Sequence, residues 1–452
     1  MRYLVLAMLA ILPIWGVGTD GLRTQEDKQA AMDFHIKDKQ DVSNTTLSYP
    51  NPPQNTQVIL GLSELLKAAN SNYSLQSKVL SVQQAKKNHT IAQATFLPTL
   101  NLDYTFQNNN RDTQQYKNYN TQVANAKFNL DVFNGFNTIN SIREKNATYR
   151  SSIADMEYTR QNIYLQVIQQ YYQYFDNNSQ LISLQRKLDQ INADIQRVTK
   201  LYNQGLATID DLESLKAQGS LSEYQISDAK LSIEQNKLML EYLTNLSFDT
   251  LKRNKIADPT YGIQERQDLT ALKEQINAQI YQNKQLNFYP TISVFDTWSY
   301  NIQKPAYALS GFGALYPTAQ NVLGVTVTLK LFDDIGLGLQ KQYLKLGQMA
   351  NEKNLLYKEL EQKKDEKLYR KSLEIAKAKI ASSEASLKSA TISFQNIKKK
   401  YDAQLINFTD YLQALSTKFD AEATYNQSLN NYELQKANYI FYSGQKIQDY
   451  IK

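Results

Sequence analysis

Two histidines, His35 and His89, are the only imidazoles in the 452 residues, and there is no cysteine. An imidazole becomes a base or a metal ligand when neighbouring groups fix its orientation. His35 stands in a polar leader and His89 in a stretch with helical spacing, so the two share no motif. Paired carboxylates could do acid-base work, but Asp210 and Asp211 are consecutive, and consecutive side chains on a helix point apart. The sequence has no nucleophile motif, phosphate-cradling loop or metal-ligand spacing. Enzymatic activity is therefore the weakest reading, with no catalytic residue, cofactor or metal site expected. Without cysteine there are no disulfides, thiolate ligands or acylated N-terminal cysteine, and stability must come from burial and assembly. The formal charge is +6, and Lys and Arg alternate with Asp and Glu along the chain. That pattern gives no support to a nucleic-acid partner.

What the chain does have is long periodic segments behind an export signal. Residues 1–18 are expected to be a signal peptide, with Arg2 before an apolar run broken only by Pro13 and Gly16. Residues 19–57 form a polar leader, whose Tyr49-Pro50-Asn51-Pro52-Pro53 stretch favours extended backbone. Beyond the signal no run of about 18 apolar residues follows, so a membrane location requires a β-barrel.

The remainder reads as two copies of one unit. Phe96-Leu97-Pro98-Thr99-Leu100 recurs as Phe288-Tyr289-Pro290-Thr291-Ile292, and Leu130-Asp131-Val132-Phe133-Asn134 as Leu329-Lys330-Leu331-Phe332-Asp333. Tyr202-Asn203-Gln204-Gly205-Leu206 recurs as Tyr401-Asp402-Ala403-Gln404-Leu405. The last two matches share one offset of 199, whereas the first has an offset of 192. The difference falls in the intervening strand and loop region, where insertions are easily absorbed. The expected division is residues 58–246 for the first repeat, 247–262 for a linker and 263–452 for the second repeat.

Each repeat contains two segments that alternate apolar and polar residues. Leu100, Leu102, Tyr104 and Phe106 are followed by Ala124, Ala126, Phe128, Leu130 and Val132. The second repeat has Ile292, Val294, Trp298 and Tyr300, then Leu323, Val325, Val327, Leu329 and Leu331, with Asp296 as a charged residue on the apolar side. A soluble antiparallel sheet would show the same alternation. Segments of about ten residues, the export signal and long connections carrying Tyr116, Tyr119, Tyr307, Phe312 and Tyr316 favour strands of an outer membrane barrel. Four strands cannot close a barrel, so several chains must pool theirs. Periodicity leaves two chains with eight strands and three with twelve equally open.

After each strand pair, at Asn134-Gly135 and Asp333-Asp334, the pattern turns helical. Leu181, Leu184, Leu188, Ile191, Ile195, Val198 and Tyr202 form a heptad seam, repeated at Ile380, Ser383, Leu387, Ala390, Phe394, Ile397 and Tyr401. An unbroken helix over 136–203 would be on the order of 100 Å long. It must reverse near Gly205, and its counterpart near Gln404, before returning helices over 209–246 and 408–451. Abundant Gln, Asn, Ser and Thr suit a water-filled tunnel, although a solvated coiled coil would carry them too.

The duplicated layout, the Pro-Thr strand starts and the tip Tyr202-Asn203-Gln204-Gly205-Leu206-Ala207-Thr208-Ile209-Asp210-Asp211-Leu212 resemble the TolC-like outer membrane efflux proteins over residues 58–446. The resemblance implies an α+β membrane protein, with a long antiparallel coiled-coil α-barrel and a transmembrane β-barrel of four strands per protomer, twelve in a trimer. It implies a homotrimer in outer membrane lipid of a Gram-negative bacterium, with a large periplasmic portion. The chain would be the duct of a tripartite efflux pump or type I secretion system for drugs, other small molecules, metals or proteins. Its partners would be a periplasmic adaptor and an inner-membrane pump of RND or ABC type. Carried over by position, Gly205, Leu206, Gln404 and Leu405 would be adaptor-docking tips, with Gln404 where the family usually has glycine. Asp410 would form a constriction ring, Gln413 replacing the second acidic position. Tyr401 and Asp211 would form an entrance latch, with Ile406 in place of the assisting arginine. The rival from another class is a non-conducting trimeric coiled-coil surface or tether protein, which explains the heptads but not four lipid-length strands.

Overall fold

Apolar alternation and heptad spacing become two long hairpins joined to one sheet. The computed structural model describes residues 59–109, 119–303, 317–330, 332, 335–403 and 405–451, all within one unit, Gln57–Lys452. The expected signal and leader with His35, the connections holding Tyr116, Tyr307, Phe312 and Tyr316, and Leu331, Asp333, Asp334 and Gln404 lie outside the described residues.

The first repeat runs β1 (Ile59–Leu60), α1 (Leu62–Ala69), α2 (Tyr73–Ala94), β2 (Thr99–Asn109), β3 (Tyr119–Asn134), α3 (Asn137–Asn203) and α4 (Ile209–Thr244). After β4 (Thr250–Leu251) the second runs α5 (Gln267–Gln285), β5 (Thr291–Gln303), β6 (Ala319–Thr328), α6 (Gly336–Asp402) and α7 (Phe408–Tyr442). A 3-10 turn, Ile447–Tyr450, follows. The second repeat thus retraces the order of the first.

Strands β2, β3, β5 and β6 form an antiparallel sheet in that order. One face collects Leu100, Leu102, Tyr104, Phe106, Trp298, Tyr300, Leu323, Val325 and Val327, all exposed in this chain. Asp296 belongs to that face and accepts from Asn321 Nδ2 at 2.6 Å. The alternation differs from the sequence reading at Val132, where a register shift between Asp131 and Phe133 makes a bulge and brings Phe133 opposite Ile292. The fourth strand also begins earlier than expected and ends at Thr328, so Leu329 lies beyond it. Among the described residues β2 and β6 have one unpaired edge each.

Helices α3 and α6 each have 67 residues, roughly 100 Å at 1.5 Å per residue. Helix α3 packs on α4 and α7, and α6 packs on α7. Being clasped from two sides, α3 buries Ser183, Lys187, Ile191, Asp194 and Val198 along its distal stretch, while Leu181, Leu184 and Leu188 of its heptad seam stay half-buried. No helix among the described residues is long and apolar enough to cross a membrane.

The principal core sits midway along the hairpins, where the linker wraps them. Tyr171 and Tyr172 are buried there, and each hydroxyl finds a backbone partner: Tyr171 donates to Lys252 O at 2.5 Å and Tyr172 to Asn254 O at 3.0 Å. Burial of such rings stabilises by about 2 kcal/mol each when the hydroxyl is satisfied. The returning helix α7 stops at Tyr442 rather than continuing to residue 451. Gly444, with φ +84°, closes it through Gln445 N to Ile440 O, 2.9 Å, and the chain turns back so that Ile451 pairs with Ile256. That turn lets the C-terminal segment clasp the linker.

Candidate functional site

Each long helix ends in a turn closed by a backbone hydrogen bond that spans five residues. At the first tip Gly205 N donates to Tyr202 O at 2.9 Å and Leu206 N to Leu201 O at 2.8 Å, with Gly205 at φ +74°. This pair of bonds satisfies the last carbonyls of α3, and glycine takes the left-handed position without a Cβ penalty. At the second tip Leu405 N donates to Lys400 O at 2.9 Å, closing a loop of the same size. Leu206 and Leu405 are 61% and 75% exposed, so each tip presents a leucine to solvent. Nothing lies within 4 Å of the position a Gly205 Cβ would take.

The helices that leave the tips are capped alike. Thr208 Oγ1 accepts from Asp211 N at 3.1 Å, and Asn407 Oδ1 accepts from Asp410 N at 2.8 Å. Asp211 and Asp410 therefore occupy equivalent third positions of α4 and α7, where the helix dipole favours a carboxylate. Asp410 is exposed and borders an open groove with Ile397, Lys400, Ile406 and Gln413.

Tyr401 is half-buried and stacked on Tyr411, with ring centroids 4.8 Å apart. Burial raises its hydroxyl pKa above the ordinary value, the Arg197 cation opposes that rise, and the Asp211 carboxylate adds to it. Tyr401 and Asp211 thus share one electrostatic neighbourhood, while no direct hydrogen bond joins them among the described residues.

Arg197 of α3 is the residue the sequence reading missed. It forms an ion pair with Asp402, sits 3.6 Å from Asp194, and lies over the Tyr401 ring at 4.7 Å from its centroid. Asp194, itself buried, accepts from Tyr411 Oη at 2.6 Å and Gln190 Nε2 at 3.1 Å. Burial, followed by the bond to Asp194, pushes the Tyr411 hydroxyl strongly up in pKa, so it stays a donor. A cation, two carboxylates and two phenols from three helices thereby tie the first tip to the second. The only sequence signal was the spacing of Asp194 and Arg197 beside a heptad seam, which reads as a local surface pair.

His89 lies partly buried on α2 with its pKa lowered by that burial, away from the tips in sequence. No group of His, Cys, Asp or Glu able to hold a metal ion occurs among the described residues.

Residues 65–246 match the family model described as outer membrane efflux protein. The structure is similar to the outer membrane protein VceC of Vibrio cholerae, with 16% identity, TM-score 0.75, and coverage of 85% of this chain and 96% of that one. It is similar to the Campylobacter jejuni CmeC outer membrane channel, at 16% identity, TM-score 0.75, and 88% and 90% coverage. The open state of the Neisseria gonorrhoeae MtrE outer membrane channel superposes with TM-score 0.69 at 15% identity, over 88% of this chain and 95% of that one. At these identities the structural likeness shows a shared fold. No curated protein matches the sequence significantly.

Proposed function

We propose, from a chain whose residues 65–246 are outer membrane efflux protein sequence and whose fold is that of solved outer membrane channels, that three copies form a passive export duct. The observation that carries the reading is the sheet: an exposed apolar face on strands of 10 to 16 residues, with no further strand on either outer edge among the described residues. Backbone groups on an open edge have no partner in hydrocarbon, so the sheet can sit in lipid only when other copies close it. Three chains supply twelve strands, and their helices continue as a tunnel through the periplasm of a Gram-negative bacterium. The tips carry Leu206 and Leu405 toward a periplasmic adaptor, which couples the duct to an inner-membrane pump of RND or ABC type. Asp410 from three chains forms an acidic constriction. Arg197 replaces the arginine that Ile406 lacks, holding Tyr401 and Asp402 from the opposite repeat. The cargo is a small molecule, metal or protein selected by the pump.

The test is Gly205→Asp. Aspartate tolerates left-handed backbone better than most residues, and the site is open, so the trimer should form normally. The charge on a docking surface should abolish substrate resistance in cells at equal expression. Unchanged resistance would remove the docking role from the first tip.

A further inference from the structure

A recess of about 660 Å³ adjoins the principal core, with α7 at its centre and α3 and α6 on its flanks. Helix α7 shows which way it faces. Its Glu433 and Lys436 hold the linker, with Ile256 N donating to Glu433 Oε2 at 2.8 Å and Lys436 Nζ to Ile256 O at 3.0 Å. Thr424 and Gln427 line the recess and stand nine residues before those two, about two and a half turns, so they point the opposite way. Asp410 and Gln413 stand two heptads before Thr424 and Gln427, and so share the face of the recess. In the duct proposed above, that face looks onto the axis.

Asp176 of α3 is the half-buried charge in the lining. Asn430 Nδ2 donates to its Oδ1 at 2.6 Å, and the exposed Arg253 of the linker donates to Asn430 Oδ1, so a buried amide stands between the cation and the carboxylate. Among the described residues no hydrogen bond reaches Oδ2. Burial already works against the charge of Asp176, and a cation arriving on the unused oxygen would relieve that cost. Ser382 and Ser386 of α6 and Gln427 of α7 line the same recess, and their side chains make no hydrogen bond with the described residues. Lys379, the other charged residue of the lining, is exposed on a flexible stem that can swing clear. One carboxylate does not hold a metal ion. The lining therefore offers a single ionic acceptor ringed by hydroxyl and amide groups.

We propose that this recess binds a polyhydroxylated amine of the amino-sugar type, with its ammonium on Asp176 Oδ2 and its hydroxyls on Ser382, Ser386 and Gln427. The proposal rests on the duct for the direction of the recess, and it adds a class of solute that pauses on the wall. Each chain supplies a whole recess, so three chains carry three.

The test is calorimetric titration of the full-length protein, purified in mild detergent, with a glucosamine trimer, maltotriose and putrescine. The first carries ammonium groups and hydroxyls, the second hydroxyls alone and the third ammonium groups alone. The glucosamine trimer should bind once per chain, about tenfold more tightly than either of the others, the worth of one hydrogen bond to a charged group. Asp176→Asn can still accept from Asn430, and it should remove that advantage while leaving maltotriose unchanged. Ser382→Ala with Ser386→Ala should weaken the glucosamine trimer several-fold and leave putrescine unchanged. Asp410→Asn should alter none of the three. A glucosamine trimer that does not bind, that binds Asp176→Asn as well as wild type, or that is lost only in Asp410→Asn would overturn the site. Maltotriose or putrescine binding as tightly as the glucosamine trimer would overturn the ligand class. Because the titration needs no bilayer, failure here on a protein that conducts overturns the recess alone, and binding by a protein that carries no current overturns the duct alone.

Discussion

Asp176 of α3 shows what the polar interior of the hairpins does to a carboxylate. Burial raises its pKa to about 6, partly offset by the bond it accepts from Asn430 Nδ2 at 2.6 Å and by the Arg253 cation, which itself donates to Asn430 Oδ1. Because the folded value lies above the unfolded one, the folded state holds an extra proton between about pH 4 and 6, and stability falls as pH rises through that window. Asp176→Asn should remove this dependence and stabilise the protein at pH 7 by on the order of 1 kcal/mol, allowing for solvent screening of a partly exposed group. Melting temperatures of the two proteins at pH 4 and pH 7 check it: a pH slope that survives in the variant would contradict the assignment. Asp410 makes a different prediction. Three carboxylates around one axis repel each other and attract cations. Asp410→Asn should lower cation preference and weaken block by divalent cations in current recordings, with assembly unchanged. If Asp410 serves only the dipole of α7, selectivity will match wild type and only stability will fall slightly.

At the scale of elements, two glycines end helices by the same bonds under different constraints. A Cβ on Gly205 meets open space, so Gly205→Ala carries only the left-handed backbone cost, about 1 kcal/mol. A Cβ on Gly444 would come within 2.2 Å of Gln264 O, a backbone atom just after the linker, so Gly444→Ala should cost about 3 kcal/mol or more. Thermal unfolding should separate the two variants clearly; equal melting temperatures would mean that the C-terminal turn does not hold the linker. The first of these turns was legible in the sequence, because Gly205 follows an unbroken heptad run. The second was not, since the helical pattern runs through to Ile451 and the cause of the stop is a segment that lies far away in sequence. The same reason hid Arg197. Its partners Asp402 and Tyr401 sit on α6, about 200 residues away, and no local periodicity reports a contact at that separation. Strands and long helices, by contrast, are set by periods of 2 and 3.5 that any short window displays, although the bulge at Val132 and the ends of the fourth strand escaped that reading.

For the whole molecule, the decisive property is passage. The duplicated hairpins and the paired tips would also serve a solid coiled-coil tether without a lumen, which leaves the four strands unexplained. The measurement that separates these is single-channel current from the purified trimer inserted in planar lipid bilayers. A water-filled duct predicts discrete, uniform current steps that scale with salt concentration and favour cations. Well-folded trimers that insert into the bilayer and carry no current would contradict the account.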